Sequence, residues 1–174
     1  VDHEDLVDRV QLQFSSLPKK AVLKIEPANY LGGDWRQYKD LEQVHLILGF
    51  PGATFYDPDF YAQQVLSMLL GGGMSSRLFQ EVREKRGLVY SIYSFTSAYR
   101  DSGMLGIYAG TGEKQIEELI PVVCDELLKM IDADLDAEIA RSKTQLKSGF
   151  FMSREATSNR CEQMAQHLLV HDRI

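Results

Sequence analysis

Apolar residues recur every three or four positions along several stretches of the chain, and polar residues fill the positions between them. This spacing places the apolar side chains on one face of a helix. The helices predicted in this way span about 5–14, 59–70, 76–85, 113–131 and 135–170. The last of them is expected to bend or break near Ser153 and Arg154. Pro121 predicts a local kink in the fourth, because proline has no amide hydrogen to donate.

Shorter stretches have the composition of β-strands. The predicted strands span about 35–39, 44–50, 88–98 and 103–109. Only a short polar turn separates the last two, which predicts an antiparallel hairpin. Residues 18–30 contain two prolines and are predicted to be a connector without regular structure. Helices combined with antiparallel strands predict an α+β fold, a two-layer sandwich of a mainly antiparallel sheet packed against helices.

The most informative stretch is 71–94, GGGMSSRLFQEVREKRGLVYSIYS. Its three glycines indicate a tight reversal between two packed helices, where bulky residues would not fit. Ser75 and Ser76 are expected to cap the second of these helices with their hydroxyl groups. Gly87 is expected to end that helix, and the alternating residues after it predict a strand.

Arg83 leaves the last turn of this predicted helix, and Tyr90 leaves the strand just after the turn. Their side chains can therefore point into the same space, which makes them the leading candidate site residues. An ordinary structural interpretation stays open beside this one. Arg83 would then be one solvated charge among several on the helix, and Tyr90 a half-buried strand aromatic.

The stretch 71–94 resembles the signature of the C-terminal half of pitrilysin-like zinc metallopeptidases. This inverzincin family includes mitochondrial processing peptidase and many bacterial processing proteases. The resemblance continues upstream in GGDWRQYKDLEQVHLILGFPG at 32–52 and departs from the family pattern mainly at Val89 and Ile92. It implies a processing-peptidase-like fold in which 1–174 form a single domain that is incomplete at both ends. Missing strands would leave sheet edges exposed, through which a homodimer is expected to form.

The resemblance also implies a division of labour within the peptidase. Arg83 and Tyr90 would contact the peptide substrate and support its transition state, whereas zinc and its ligands would belong to an absent N-terminal half or a partner subunit. The chain contains no HxxEH motif, so by itself it is expected to bind no metal and to be inactive. The complete protein would be a zinc metallopeptidase that cleaves peptides or presequence-like segments. The alternative is a non-catalytic structural subunit of the same fold, like the core proteins of the bc1 complex.

Other candidate sites are weaker. The glycine run lacks the Lys-Ser/Thr that follows a phosphate-binding loop, which argues against a nucleotide-binding site. His167 and His171 stand four residues apart, as in a helical zinc site, but the glutamate that would activate water is missing between them. His45 is expected to be a hydrogen-bonded structural histidine in a strand, and Arg77 a structural cation.

Composition narrows the classes of partner. The net charge of −6 argues against nucleic acid, because neutralising phosphates requires clustered Lys and Arg. No apolar run approaches the roughly 18 residues of a membrane span.

Cys124 and Cys161 lie in apolar helical patterns and are predicted to be buried, reduced thiols. The compartment is left open between a bacterial cytoplasm and the mitochondrial matrix.

Overall fold

A computed structural model of the chain describes residues 2–18 and 26–172. The helices are α1 (His3–Phe14), α2 (Phe60–Gly71), a π-helix (Phe79–Lys85), a 3₁₀ turn (Glu113–Gln115), α3 (Ile116–Asp132), α4 (Asp136–Ser153) and α5 (Thr157–His171). The strands are β1 (Val44–Pro51), β2 (Val89–Ala98) and β3 (Gly103–Thr111). The α+β fold with an antiparallel sheet is confirmed.

The three strands form one antiparallel sheet in the order β1-β3-β2. The predicted hairpin is confirmed as β2 and β3, and Tyr93 of β2 lies opposite Tyr108 of β3. One face of the sheet carries the hydrophobic core, to which the strands contribute Ile92, Ile107 and Ala109. Helix α2 packs against β2 and α4, while the π-helix contacts β2 and α3. The sheet and these helices are the two layers.

The core residues come mainly from the segment 71–94 and its neighbours. The least exposed side chains among the described residues include Leu70, Leu78, Val82, Ile107, Leu119 and Val123. Because Leu78 directly before the π-helix and Val82 within it are two of these residues, the position of the π-helix relative to the sheet is determined by close packing on its inner side. Residues on its outer side are held on a rigid support.

The predicted strand at 35–39 is wrong. Residues 26–41 contain no helix or strand, and Trp35 is 82% exposed. Two tertiary bonds attach this segment to the sheet instead: the Tyr30 hydroxyl donates to the Gly49 carbonyl at 2.8 Å, and the Ala28 amide donates to Asp101 at 2.9 Å. Of the predicted connector at 18–30, residues 26–30 agree with the prediction, and 19–25 lie outside the described residues.

The other helix predictions agree with the structure to within a few residues. The long stretch breaks after Ser153, as expected, and continues as α5. Helix α3 runs through Pro121 without interruption, so the local kink there stays a prediction. Helix α1 begins at His3, where the Asp2 side chain accepts a 2.9 Å bond from the Glu4 amide. No residue of α1 is buried.

The prediction of buried cysteines is wrong, since both Cys124 and Cys161 are exposed. Helix α3 buries Leu119, Val122, Val123 and Glu126. This spacing defines one face, and Cys124 lies on the opposite side of the helix. Cys161 belongs to α5, in which no residue is buried.

Candidate functional site

The glycine reversal brings helix α2 directly against strand β2. A Cβ atom on Gly71 would overlap the Ser94 amide and lie 2.8 Å from its hydroxyl oxygen. A Cβ on Gly72 would come within 2.6 Å of Met68 Cα, whereas a Cβ on Gly73 would meet nothing within 4 Å. The expectation that bulky residues would not fit is therefore confirmed at the first two glycines and wrong at the third.

The serines after the glycines do not cap the following helix in the predicted way. The Ser76 hydroxyl donates to the Gly73 carbonyl at 2.6 Å, which closes the turn on itself. The Ser75 carbonyl accepts a 3.0 Å bond from the Arg141 guanidinium of α4. The turn is thus held by its own backbone and by a neighbouring helix.

The helix that carries Arg83 is a π-helix at Phe79–Lys85, where the spacing predicted an α-helix. Such i→i+5 segments are rare and occur frequently at functional sites. Gly87 ends it with a φ of 62°, a conformation that glycine adopts without steric cost. The Gly87 amide donates to the Arg83 carbonyl at 3.0 Å, and the Leu88 amide donates to the Val82 carbonyl at 3.1 Å. The predicted stop at Gly87 is confirmed.

A β-bulge lies at Tyr90. Val89 pairs with Thr111, and Ser91 pairs with the next residue, Gly110, so Tyr90 is the extra residue between them. Bulges redirect a side chain out of the regular alternation and are common next to active sites. Val89 points into the core and is buried, whereas Tyr90 is 64% exposed. The extra residue of the bulge is thus an exposed tyrosine whose side chain lies outside the core.

Arg83 is exposed and lies over an aromatic ring. Its Cζ atom is 4.8 Å from the centroid of the Phe79 ring, one turn earlier on the π-helix. Over residues 2–18 and 26–172, no carboxylate lies within 4.0 Å of the Arg83 guanidinium. Its N–H groups are therefore free to bind a ligand.

The neighbouring cations Lys85 and Arg86, unlike Arg83, are paired with a carboxylate. Lys85 donates to Glu81 at 2.7 Å and Arg86 donates to it at 3.2 Å. These two bonds, the first most strongly, hold the pKa of Glu81 below its ordinary value against the opposing effect of burial. Glu81 thereby pairs with the two cations that follow Arg83 in the sequence, whereas Arg83 itself pairs with no carboxylate of the described residues.

The structure places Arg83 and Tyr90 on either side of the Gly87 turn, each exposed. Within the described parts of the chain, no hydrogen bond joins the two side chains. That both point into one binding space stays a prediction.

Arg77 has the structural role that was expected. Its Nε donates to Glu138 of α4 at 2.9 Å, and the two side chains are only 17% and 25% exposed. This ion pair joins the turn before the π-helix to α4. A cleft of about 250 Å³ beside it is lined by mixed charges that include Lys85, Glu126 and Glu138.

The histidines make contacts within the protein. His45 Nδ1 lies 2.8 Å from the Tyr108 hydroxyl, in agreement with the expected structural role. The rings of His167 and His171 meet edge to face at 5.9 Å, and His171 also contacts Tyr56. Among the residues that the structure describes, no three His, Cys, Asp or Glu side chains are arranged to hold a metal ion. The described residues therefore do not fit a zinc site.

No helix in the described ranges has both the length and the apolar composition needed to cross a membrane.

Phe79 is the residue that sequence reasoning missed. Its position at helical spacing between Leu78 and Val82 favoured a core role, but Phe79 is only half-buried and contacts Arg83. An aromatic residue four positions before an arginine on a helix is a signal that the sequence does contain.

Comparison with known proteins identifies the family. The sequence profile described as "Peptidase M16 inactive domain" matches residues 1–146. An uncharacterized zinc protease of Rickettsia bellii is 40% identical over 171 residues, which are 98% of this chain and 42% of that protein. An uncharacterized zinc protease of Bacillus subtilis is 42% identical over 133 residues, which are 76% of this chain and 32% of that protein. The chain belongs to the peptidase M16 inactive-domain family and spans less than half the length of these relatives.

Solved structures share the fold. A peptidase M16 inactive domain from Pseudomonas fluorescens has a TM-score of 0.58 and 31% identity, covering 63% of this chain and 27% of that one. A protease from Helicobacter pylori has a TM-score of 0.71 and 24% identity, covering 99% of this chain and 44% of that one. A chain of Complex III2 from Candida albicans has a TM-score of 0.79 and 19% identity, covering 98% of this chain and 43% of that one. The last two, at their low identity, are evidence of the fold alone.

Proposed function

We propose that this domain binds an extended peptide through Arg83 and Tyr90 and supports its hydrolysis by a zinc-bearing half of the same peptidase. The observation that carries the proposal is the state of Arg83. Arg83 is exposed on a tightly packed π-helix, and no carboxylate of the described residues pairs with it. The bulge that carries the exposed Tyr90 follows a few residues after the helix.

The chemistry of the two side chains suits this role. A guanidinium has five N–H donors in a fixed plane, which can bind several carbonyl oxygens of an extended peptide. The phenol of Tyr90 donates one hydrogen bond, and it would donate to the oxygen of the scissile carbonyl as negative charge develops there. Arg83 would then act mainly in binding, and Tyr90 mainly in the transition state.

The zinc would be supplied by the N-terminal half or by a partner subunit, because the described residues of this chain do not fit a zinc site. The zinc-protease names and the greater length of the relatives support this arrangement. The substrate class we propose is a basic peptide or presequence-like segment. The net charge of −6 is complementary to such a substrate.

The test is cleavage of a quenched fluorescent basic peptide. The chain alone with added zinc is compared with the chain combined with, or fused to, its zinc-bearing half. We expect no cleavage by the chain alone and cleavage by the combination. Cleavage by the chain alone would contradict the division of labour. His167 and His171 would then be the candidate zinc ligands to test.

A structural subunit is the second candidate. The observation behind it is the likeness to a chain of Complex III2, whose TM-score of 0.79 measures the fold only. The combined protein distinguishes the two candidates. A combination that assembles and binds zinc but cleaves no peptide would favour the structural role.

A further inference from the structure

Arg83 is held in a different way from the cations around it. Arg86 lies 3.2 Å from Glu81 and 3.7 Å from Glu118, and Lys85 lies 2.7 Å from Glu81. The Arg83 guanidinium instead lies over the Phe79 ring, with Cζ 4.8 Å from the ring centroid. This distance is within the range of a cation–π interaction.

The two kinds of partner have different consequences for binding. A carboxylate occupies guanidinium N–H groups and neutralises the charge. An aromatic face attracts the cation without accepting those N–H groups in conventional hydrogen bonds, so they stay available to a ligand. Restricting a long side chain before binding also lowers the entropy that is lost when the ligand binds. A ring under Arg83 therefore orders the side chain and leaves its donors free.

Phe79 is itself well supported. It is half-buried, and its neighbours Leu78 and Val82 are fully buried in the core against the sheet. The ring thus belongs to the rigid part of the π-helix, while Arg83 lies one turn further along on the exposed side. The position of the guanidinium is set by an element that is itself determined by core packing.

We propose that Phe79 is a positioning residue, whose ring holds the Arg83 guanidinium ready to bind the carbonyl oxygens of a peptide. This inference rests on the proposed peptide-binding function of Arg83. Phe79 acts only through Arg83 and makes no contact of its own with the reacting atoms.

The test is a double-mutant cycle in the combined protein with its zinc-bearing half, measured as kcat/KM on the quenched fluorescent basic peptide. Phe79→Leu removes the ring and keeps an apolar side chain, and we expect kcat/KM to fall about 2- to 5-fold, the range of an exposed cation–π contact. Phe79→Tyr keeps the ring face and should retain the original value. In an Arg83→Ala background, Phe79→Leu should have no further effect.

Each other result has a definite meaning. If Arg83→Ala leaves kcat/KM unchanged, the proposed function of Arg83 fails and the inference fails with it. If Arg83→Ala lowers kcat/KM but Phe79→Leu does not, only the positioning role is overturned. An equal fall with and without Arg83 would show that Phe79 supports the fold alone. If Phe79→Leu does not fold, Phe79→Met, which is also unbranched at Cβ and has no ring, replaces it in the same cycle.

Discussion

Gly71 at the end of helix α2 lies directly against the backbone of Ser94 in strand β2. The Ser94 hydroxyl donates to the Ser67 carbonyl at 2.5 Å, one helical turn before Gly71. Ser67 and Gly71 thus form a flat strip on α2 that allows the helix to approach the sheet this closely. The contact between Gly71 and Ser94 therefore determines how closely α2 packs against β2.

We expect Gly71→Ala to destabilise the protein by about 1–3 kcal/mol, since the added methyl group would overlap backbone atoms that cannot move independently of the sheet. Gly73→Ala is the matched control. Its methyl group would meet nothing within 4 Å, so the change should be neutral or slightly stabilising. Urea unfolding of both variants measures the difference, and equal midpoints would contradict this account of the helix–sheet contact.

Tyr90→Phe is expected to lower peptide cleavage by the combined protein about 100-fold, as removing an oxyanion donor does. Arg83→Ala is expected to lower it by a similar factor, because hydrogen bonds from a charged donor to the peptide are lost. The loss for Tyr90→Phe should appear mainly in kcat, and the loss for Arg83→Ala also in KM, because arginine would contribute to ground-state binding.

Two controls accompany these variants. Lys85→Ala removes a cation from the same helix, and Tyr93→Phe removes a hydroxyl from an exposed tyrosine of the same strand. Neither should change the rate by more than about 2-fold, the size of a weak surface effect. If the controls lose as much activity as the two site variants, the effect is not specific to Arg83 and Tyr90.

Arg77→Met is expected to destabilise the protein by about 1–3 kcal/mol, because it leaves the largely buried Glu138 carboxylate without its partner. Adding Glu138→Gln should recover part of the loss. The control is Arg9→Met in the Arg9–Asp5 pair, whose side chains are 73% and 59% exposed. Exposed pairs contribute little, so its unfolding midpoint should hardly move.

Glu81 predicts an acid dependence of stability. Its pKa in the folded state is lowered from an ordinary value of 4.5, mainly by the bond from Lys85. The folded state therefore binds this proton less tightly than the unfolded state does. The resulting stabilisation is present above the ordinary pKa and is lost as the pH falls through the lower pKa of the folded state.

Glu81→Gln should consequently lower Tm by about 1–4 °C at pH 7 and have a smaller effect at pH 3, as for a surface ion pair in a domain of this size. Thermal unfolding between pH 3 and 7 measures both effects. Glu84→Gln on the same helix is the control, since Glu84 is exposed and forms none of the ion pairs found among the described residues. A Glu81→Gln effect that is equal at both pH values would contradict the assignment.

Much of the fold could be predicted from the sequence. The apolar spacing of α2, α3, α4 and α5 and the composition of β1, β2 and β3 led to the correct elements. The stop at Gly87 was also predictable, because a glycine after the last turn of a helix has a local steric reason. The strand predicted at 35–39 was wrong because a strand depends on a partner that local sequence does not specify. Aromatic content favours a strand only where a neighbouring strand offers hydrogen bonds.

The two cysteines also show that local sequence does not determine which residues of a helix are buried. An apolar neighbourhood in the sequence does not tell which side of a helix meets the sheet. Cys124 lies opposite the face defined by Leu119 and Val123, and Cys161 belongs to a helix without buried residues. Burial depends on what packs against an element, which local sequence does not contain.

The sequence by itself determined the order of the elements, the α+β class, the motif that relates the chain to the M16 family, and Arg83 and Tyr90 as candidates. These follow from local spacing and residue type. Only the tertiary structure decided that the helix of Arg83 is a π-helix, that Tyr90 occupies a bulge, and that Arg83 lies over Phe79. Each of these depends on how the helix packs on the sheet and on the register between β2 and β3, and both arise from contacts between residues distant in the chain.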